Sequence, residues 1–229
     1  MQRISKRIYY GWIIVAVSGG MEFANAATAI GILTIFVNPF TEEFGWSRTE
    51  ISAVTSVGAV LGASLAPFSG RLVDRIGSRW VLTLGGTLVV VACVYLASVQ
   101  TLLGFYVGYT IARTADQGLI KIGAAPSVGK WFQRYRGRAI ALVFFSGSAG
   151  IMVMAPLVQL AIGAWGWRAA WLLLAAVMAV LGIVPSFALM RRQPEDYGLV
   201  VDGRVGPDGD APAATAFDGN EPDRWTLRQ

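Results

Sequence analysis

The sequence predicts an all-α membrane protein, a bundle of six transmembrane helices, and three observations carry that expectation. The 229-residue chain is 55% hydrophobic and 14% charged, with a mean hydropathy of +0.55, where soluble domains sit near a quarter charged. Residues 51–69 and 81–97 contain no charge at all, and a short basic turn, Gly70-Arg71-Leu72-Val73-Asp74-Arg75-Ile76-Gly77-Ser78-Arg79-Trp80, separates them. A helical hairpin inside a soluble core would give one such pattern; here it repeats along the chain. Since a span takes about 20 helical residues, there is room for about six spans and a polar tail.

The elements follow in order. Arg3, Lys6 and Arg7, then Tyr9, Tyr10 and Trp12, make the cationic and aromatic edge of a cytoplasmic interface. The first span is predicted over about 10–37. Ala24-Asn25-Ala26 resembles a signal-peptide cleavage site, but the apolar sequence continues to Val37, longer than a signal peptide's apolar core. The loop Asn38–Glu50 follows, in which Ser47-Arg48-Thr49-Glu50 fits a capping box opening the second span, about 50–70. The third is about 80–98, Gln100-Thr101 is a minimal turn, and the fourth is about 102–124. A loop rich in charge and aromatics, Lys130–Arg138, leads to the fifth span at about 139–162. The turn Gly163–Gly166 precedes the sixth, about 167–189, and Arg191-Arg192 closes it. Residues 1–192 form this bundle. From Pro194 the sequence turns to Gly, Pro, Asp and Ala, so 193–229 reads as a disordered cytoplasmic linker.

Charge orients the spans. Residues 1–192 hold sixteen Lys/Arg against six Asp/Glu, and 193–229 hold three against eight. With the N-terminus inside, twelve of the sixteen (Arg3, Lys6, Arg7, Arg71, Arg75, Arg79, Lys130, Arg134, Arg136, Arg138, Arg191, Arg192) lie on the inner side, and the outer loops carry Arg48 and Arg168. This bias predicts cytoplasmic N- and C-termini and assigns the basic excess to membrane-flanking loops, so nucleic acid is not expected as a partner. Histidine is absent and Cys93 is the only cysteine. That excludes His-ligated metal, a Ser-His-Asp triad and cysteine clusters; neither a cofactor nor a metal is expected, and an enzyme is disfavoured.

The chemistry-bearing candidates lie inside the spans. Glu22 is the only acid of the first span, roughly 20 Å from its cytoplasmic end, and Arg113 lies roughly 16 Å from the outer end of the fourth. In a core about 30 Å thick both fall near the midplane, where a lone charge costs at least about 2.5–3.5 kcal/mol and so faces a cavity or a partner. Asn25 and Ala26 share the face of Glu22; Asp116, Gln117 and Lys121 extend the polar stripe of Arg113. Lys121 reads as snorkelling to the cytoplasmic interface. Gly58/Gly62, Gly104/Gly108 and Ser146/Gly150 have the small-xxx-small spacing of close helix packing. Pro67, Pro156 and Pro185 are candidate kinks, and Tyr9, Trp12, Trp46, Trp165 and Trp167 candidate interface anchors.

Gly70-x-x-x-Asp74-Arg75-x-Gly77-x-Arg79 resembles the signature loop between spans two and three of the major facilitator superfamily, with Ser78 where a basic residue is usual. Arg113 with Gln117-Gly118 is similar to that family's membrane-embedded arginine motif at a spacing one residue longer. Trp131-Phe132-x-x-x-Arg136-Gly137-x-Ala139, Gly166-Trp167-Arg168 and Arg191-Arg192-x-Pro194-Glu195-Asp196-x-Gly198 look like a bacterial subgroup near the monocarboxylate and oxalate/formate carriers. The resemblance implies one half of a twelve-helix fold, built from inverted three-helix repeats with the substrate site between two six-helix bundles. It implies an inner-membrane secondary carrier working by alternating access, in which Gly70, Asp74, Arg75, Gly77 and Arg79 form a gating loop. The expected cargo is a small organic anion, moved by proton symport or anion exchange, with Arg113 on the anion and Glu22 or Asp116 carrying the proton. Partners would be the lipid bilayer and a C-terminal six-helix half or a second copy. A drug efflux carrier, suggested by Gly147, Gly150 and Pro156, and a non-transporting receptor or assembly subunit on the same fold are the alternatives.

Overall fold

A computed structural model describes residues 9–191 together with 194, 199 and 201. The described residues are helical throughout, with no strand, and make six helical runs. The first joins α1 (Tyr10–Ala24) and α2 (Ile30–Phe44) across a 3-10 turn, Asn25–Thr28; α3 (Arg48–Ile76) and α4 (Ser78–Ala97) are the second and third. The fourth joins α5 (Leu102–Ala115) and α6 (Lys121–Gly129) across a π segment, Asp116–Ile120. The fifth and sixth are the arms of α7 (Arg136–Val177), which turns at Gly166 and continues through a π segment, Met178–Ile183, into α8 (Val184–Leu189).

Packing shows that α7 reverses at Gly166. Gly19 faces Ser146 and Gly150 faces the Phe23 backbone, so the first and fifth runs are parallel. Arg168 reaches Glu43, Trp171 stacks on Phe36, and the Tyr10 hydroxyl donates to the Leu189 carbonyl at 2.7 Å, so the first and sixth are antiparallel. Gly166 has φ 83° and ψ 167°, matching Gly77 at 84° and 157°. Positive φ at these two turns is why both are glycine. Tyr10–Phe44, Ser78–Ala97 and Arg136–Leu189 are long and apolar enough to cross a membrane, and the last, at 54 residues, is over twice the length of one crossing. Arg48–Leu65 and Pro67–Val73 meet at 54° and together reach that length. Leu102–Gly129 has the length but carries Arg113, Asp116 and Lys121 within it.

Several boundaries differ from the sequence expectation. The loop 38–50 is helical through Phe44 despite Pro39, and only Gly45–Ser47 connects the runs. Ser47 does form the capping box: its Oγ accepts from the Glu50 N–H at 3.2 Å, and the Glu50 carboxylate accepts from the Ser47 N–H at 2.7 Å. The turn 70–80 shrinks to Gly77, because α3 continues to Ile76 and α4 starts at Ser78. Gly70 therefore lies inside a helix with open space beside it, and the turn does not use its freedom. The linker expected over 193–229 lies almost wholly outside the described residues.

Two aromatic clusters cap the bundle. Phe36, Phe40, Phe44, Trp46, Phe105 and Trp167 interlock at one end. Tyr9, Trp12 and the buried Trp131 and Phe132 pack at the other. Trp46 and Trp167 thus pack inward rather than anchoring an interface, and the Trp167 indole donates to Glu43; Trp12 and Trp165 stay exposed. Tyr9 donates its hydroxyl to the Trp131 carbonyl at 2.8 Å.

Small residues set the closest approach. A Cβ on Gly58 would stand 2.6 Å from the Arg113 Cβ, and one on Gly62 2.5 Å from the Gln117 Cβ. Gly62→Val is therefore expected to force the second and fourth runs apart at a cost of about 1–3 kcal/mol, read as a lower thermal midpoint in detergent. Gly70→Ala, which meets nothing inside its helix, should leave the midpoint unlowered or raise it slightly, since helix-interior Gly is about 0.5–1 kcal/mol less stable than Ala.

Candidate functional site: a charged cavity at two broken helices

The first run breaks where Asn, Thr and extended Ala29 (ψ 138°) interrupt the ladder. Past the break the Ile32 and Leu33 N–H groups bond to Ala29 O, so the helix restarts there and the Thr28 carbonyl is left to find other donors. In a membrane an unsatisfied carbonyl costs several kcal/mol. The fourth run supplies the donors: the Tyr109 hydroxyl and an Arg113 Nη each donate to Thr28 O at 3.0 Å.

The break in the fourth run faces this one. Asn25 Nδ2 donates to Asp116 Oδ1 at 2.6 Å, and Gln117 Nε2 donates to Oδ2 at 3.0 Å. Arg113 and Lys121 stand 3.2 and 3.8 Å from Oδ2. The π segment explains how Lys121 joins. In an α-helix five residues carry a side chain about 140° round the axis; an i→i+5 turn brings position 121 back toward position 116. Lys121, with its side chain 44% exposed, therefore reaches back to Asp116 and lines the same cavity.

Glu22, Asn25, Thr28, Arg113, Asp116 and Lys121 line one cavity of about 400 Å³, completed on its apolar side by Ile30, Phe144 and Ile151. Asp116 and Glu22 are 1% and 8% exposed. Glu22 Oε1 is buried with no hydrogen-bond partner among the described residues, and Gly147 brings the fifth run against its other oxygen. Two cations thus share the cavity with two carboxylates, one of which is fully engaged. No group of three or more His, Cys, Asp or Glu side chains able to hold a metal occurs among the described residues.

Of the residues singled out from the sequence, Glu22, Asn25, Arg113 and Asp116 line the cavity, and Gln117 joins through Asp116. Lys121, Thr28 and Tyr109 were not singled out as site residues. The stripe spacing from Gln117 pointed to Lys121, but nothing in the sequence marks the carbonyl that Tyr109 serves. Gly70, Arg75, Gly77 and Arg79 lie elsewhere, around the junction of α3 and α4; Asp74 shares that stretch of helix. Arg79 sets its guanidinium over Trp80 and Phe187, 5.4 and 4.7 Å from the ring centres.

Apolar helices that break where their charges meet are the construction of a membrane solute carrier. The chain belongs to the Major Facilitator Superfamily, whose profile matches residues 13–207. It is 28% identical over 185 residues to monocarboxylate transporter 11 of Mus musculus, covering 80% of this chain and 40% of that one. It is 26% identical over 156 residues to the oxalate:formate antiporter of Oxalobacter formigenes (68% and 37%). It is 28% identical over 152 residues to the riboflavin transporter RibJ of Trypanosoma brucei brucei (65% and 27%). The chain thus spans 27–40% of the length of these relatives. The three relatives all carry transporter names.

Proposed function

We propose that this chain forms a six-span half of a secondary carrier for a small organic monoanion, coupled to a proton or to counter-exchange of anions. The charge balance of the cavity carries the reading. Asp116 neutralises one of the two cations, and Glu22 balances the other when ionised. A proton on Glu22 leaves one positive charge in excess, which one carboxylate of a cargo cancels, so proton and anion enter as a neutral pair. The apolar wall of Ile30, Phe144 and Ile151 suits a short hydrocarbon body. The relatives named for monocarboxylates and for oxalate and formate support an anion.

Ile30 and Phe144 are 54% and 53% exposed, which leaves the cavity open on that side. In the proposal a second six-helix bundle, either more of the same polypeptide or a second copy, closes it and rocks against this one, with both ends of this chain cytoplasmic.

The test is uptake of a labelled short monocarboxylate into vesicles carrying the polypeptide isolated from its own membrane, with its intact mass measured alongside. Uptake driven by an inside-alkaline gradient, or by trapped unlabelled anion, is expected. It is expected from a polypeptide about twice 24.5 kDa, or from cross-linked pairs of the 24.5 kDa chain. Export of a lipophilic cation with no anion uptake would replace this reading with drug efflux.

A further inference from the structure

We propose that the groove between the second, third and fourth runs holds one acyl chain of an anionic phospholipid of the cytoplasmic leaflet, with its phosphate on Arg71 and Arg75. The groove encloses about 500 Å³ and is walled by Leu61, Leu65, Phe68 and Leu72 on α3, Leu88 on α4, and Ile111 and Leu119 with their neighbours on the fourth run. It is separate from the charged cavity. Ile111 and Ala115 stand two residues either side of Arg113, about 160° round the axis, so the groove lies on the far side of the fourth run from the cargo site.

Three features of the groove select a lipid. Its α3 wall, from Leu61 to Leu72, crosses the 54° bend between Leu65 and Pro67 and spans about 15 Å end to end at about 1.5 Å per residue, close to half of a hydrocarbon core about 30 Å thick. Its lining is almost wholly apolar, with Phe68 65% exposed to whatever fills it. The stripe 61, 65, 68, 72 then continues at helical spacing to Arg75, with Arg71 three residues beyond Phe68. Both arginines are exposed, at the end of the helix that the positive-inside bias places in the cytoplasm. Asp74 shares this turn, leaving one positive charge in excess and two guanidinium forks to take a phosphate. A helix from a second copy would fill the groove equally well but gives the arginines nothing to bind.

The experiment reads spin-labelled lipid in vesicles of phosphatidylcholine containing the full chain. The motionally restricted fraction of labelled phosphatidylglycerol is compared with that of labelled phosphatidylcholine. Each basic residue near an anionic surface is worth about fivefold in partition, so a several-fold preference for phosphatidylglycerol is expected. It should fall toward one in Arg71→Gln/Arg75→Gln and persist in Arg71→Lys/Arg75→Lys, whose charge is intact. Leu65→Trp, which fills the groove, should remove restricted lipid of both kinds there. Arg134→Gln/Arg138→Gln, in the other cytoplasmic loop, removes the same surface charge and should lower the preference by clearly less, because no acyl groove adjoins it among the described residues. No preference in the native chain, or one that survives Arg71→Gln/Arg75→Gln, overturns the proposal. So does a cross-link from a cysteine at Leu65 to a second copy. Lipid selectivity does not depend on transport, so its failure would leave the carrier reading intact.

Discussion

Arg113→Ala is expected to lower anion uptake by about a hundredfold, within the range of roughly 2–5 kcal/mol lost when one partner of a buried charged pair is removed. Arg113 donates to the Thr28 carbonyl and pairs with Asp116, so the variant loses both the cation that the proposal sets against the cargo and a clamp on the broken first helix. Arg113→Lys keeps the charge but not the fork and should recover part of the rate. Asp116→Asn separates the two roles of Arg113. If Arg113 only stabilises the bundle through Asp116 and the Thr28 carbonyl, both variants lower uptake only as far as they lower the thermal midpoint; if it meets the anion, Arg113→Ala loses uptake well beyond its loss of stability. Unchanged uptake in Arg113→Ala ends the substrate role.

Glu22→Gln is expected to abolish proton-driven accumulation while leaving exchange. With one proton moved per monoanion, each pH unit of gradient (about 1.4 kcal/mol) supports about tenfold accumulation, and uptake rises as the outer pH falls. Glutamine fills the same space and cannot take up a proton. The accumulation ratio should therefore drop to about one, with labelled anion still exchanging against trapped unlabelled anion. Retained accumulation would move the proton site away from Glu22, and Asp116 is the other carboxylate of the cavity. Asp116 is held by Asn25, Gln117, Arg113 and Lys121, whereas Glu22 has an oxygen with no partner among the described residues. That difference is why Glu22 is placed first.

Much of the bundle was legible in the residues because its causes are local. Long uncharged stretches have to be helical in hydrocarbon, Ser47 and Glu50 carry their own capping box, and the chain reverses within the glycine turn expected at 163–166. What local patterns missed is wherever a helix departs from its regular ladder. Asn25–Thr28 and Asp116–Ile120 read as continuous helix because hydropathy is the same on both sides of each break. Only the π turn brings Lys121 back to Asp116. Trp167 was read as an anchor because an indole at a helix end suits lipid headgroups and packed aromatics equally well; the approach of Phe40 and Glu43 decides between them.

The sequence by itself therefore determined the class of protein and its all-helical character, since these depend on composition and hydropathy. Only the tertiary structure decided which charges meet. The Thr28 carbonyl is released by a break in one helix and satisfied by Tyr109 and Arg113 on another, 81 and 85 residues away. No local pattern records that pairing, because in an apolar medium a broken ladder is tolerated only where a neighbouring helix completes its hydrogen bonds.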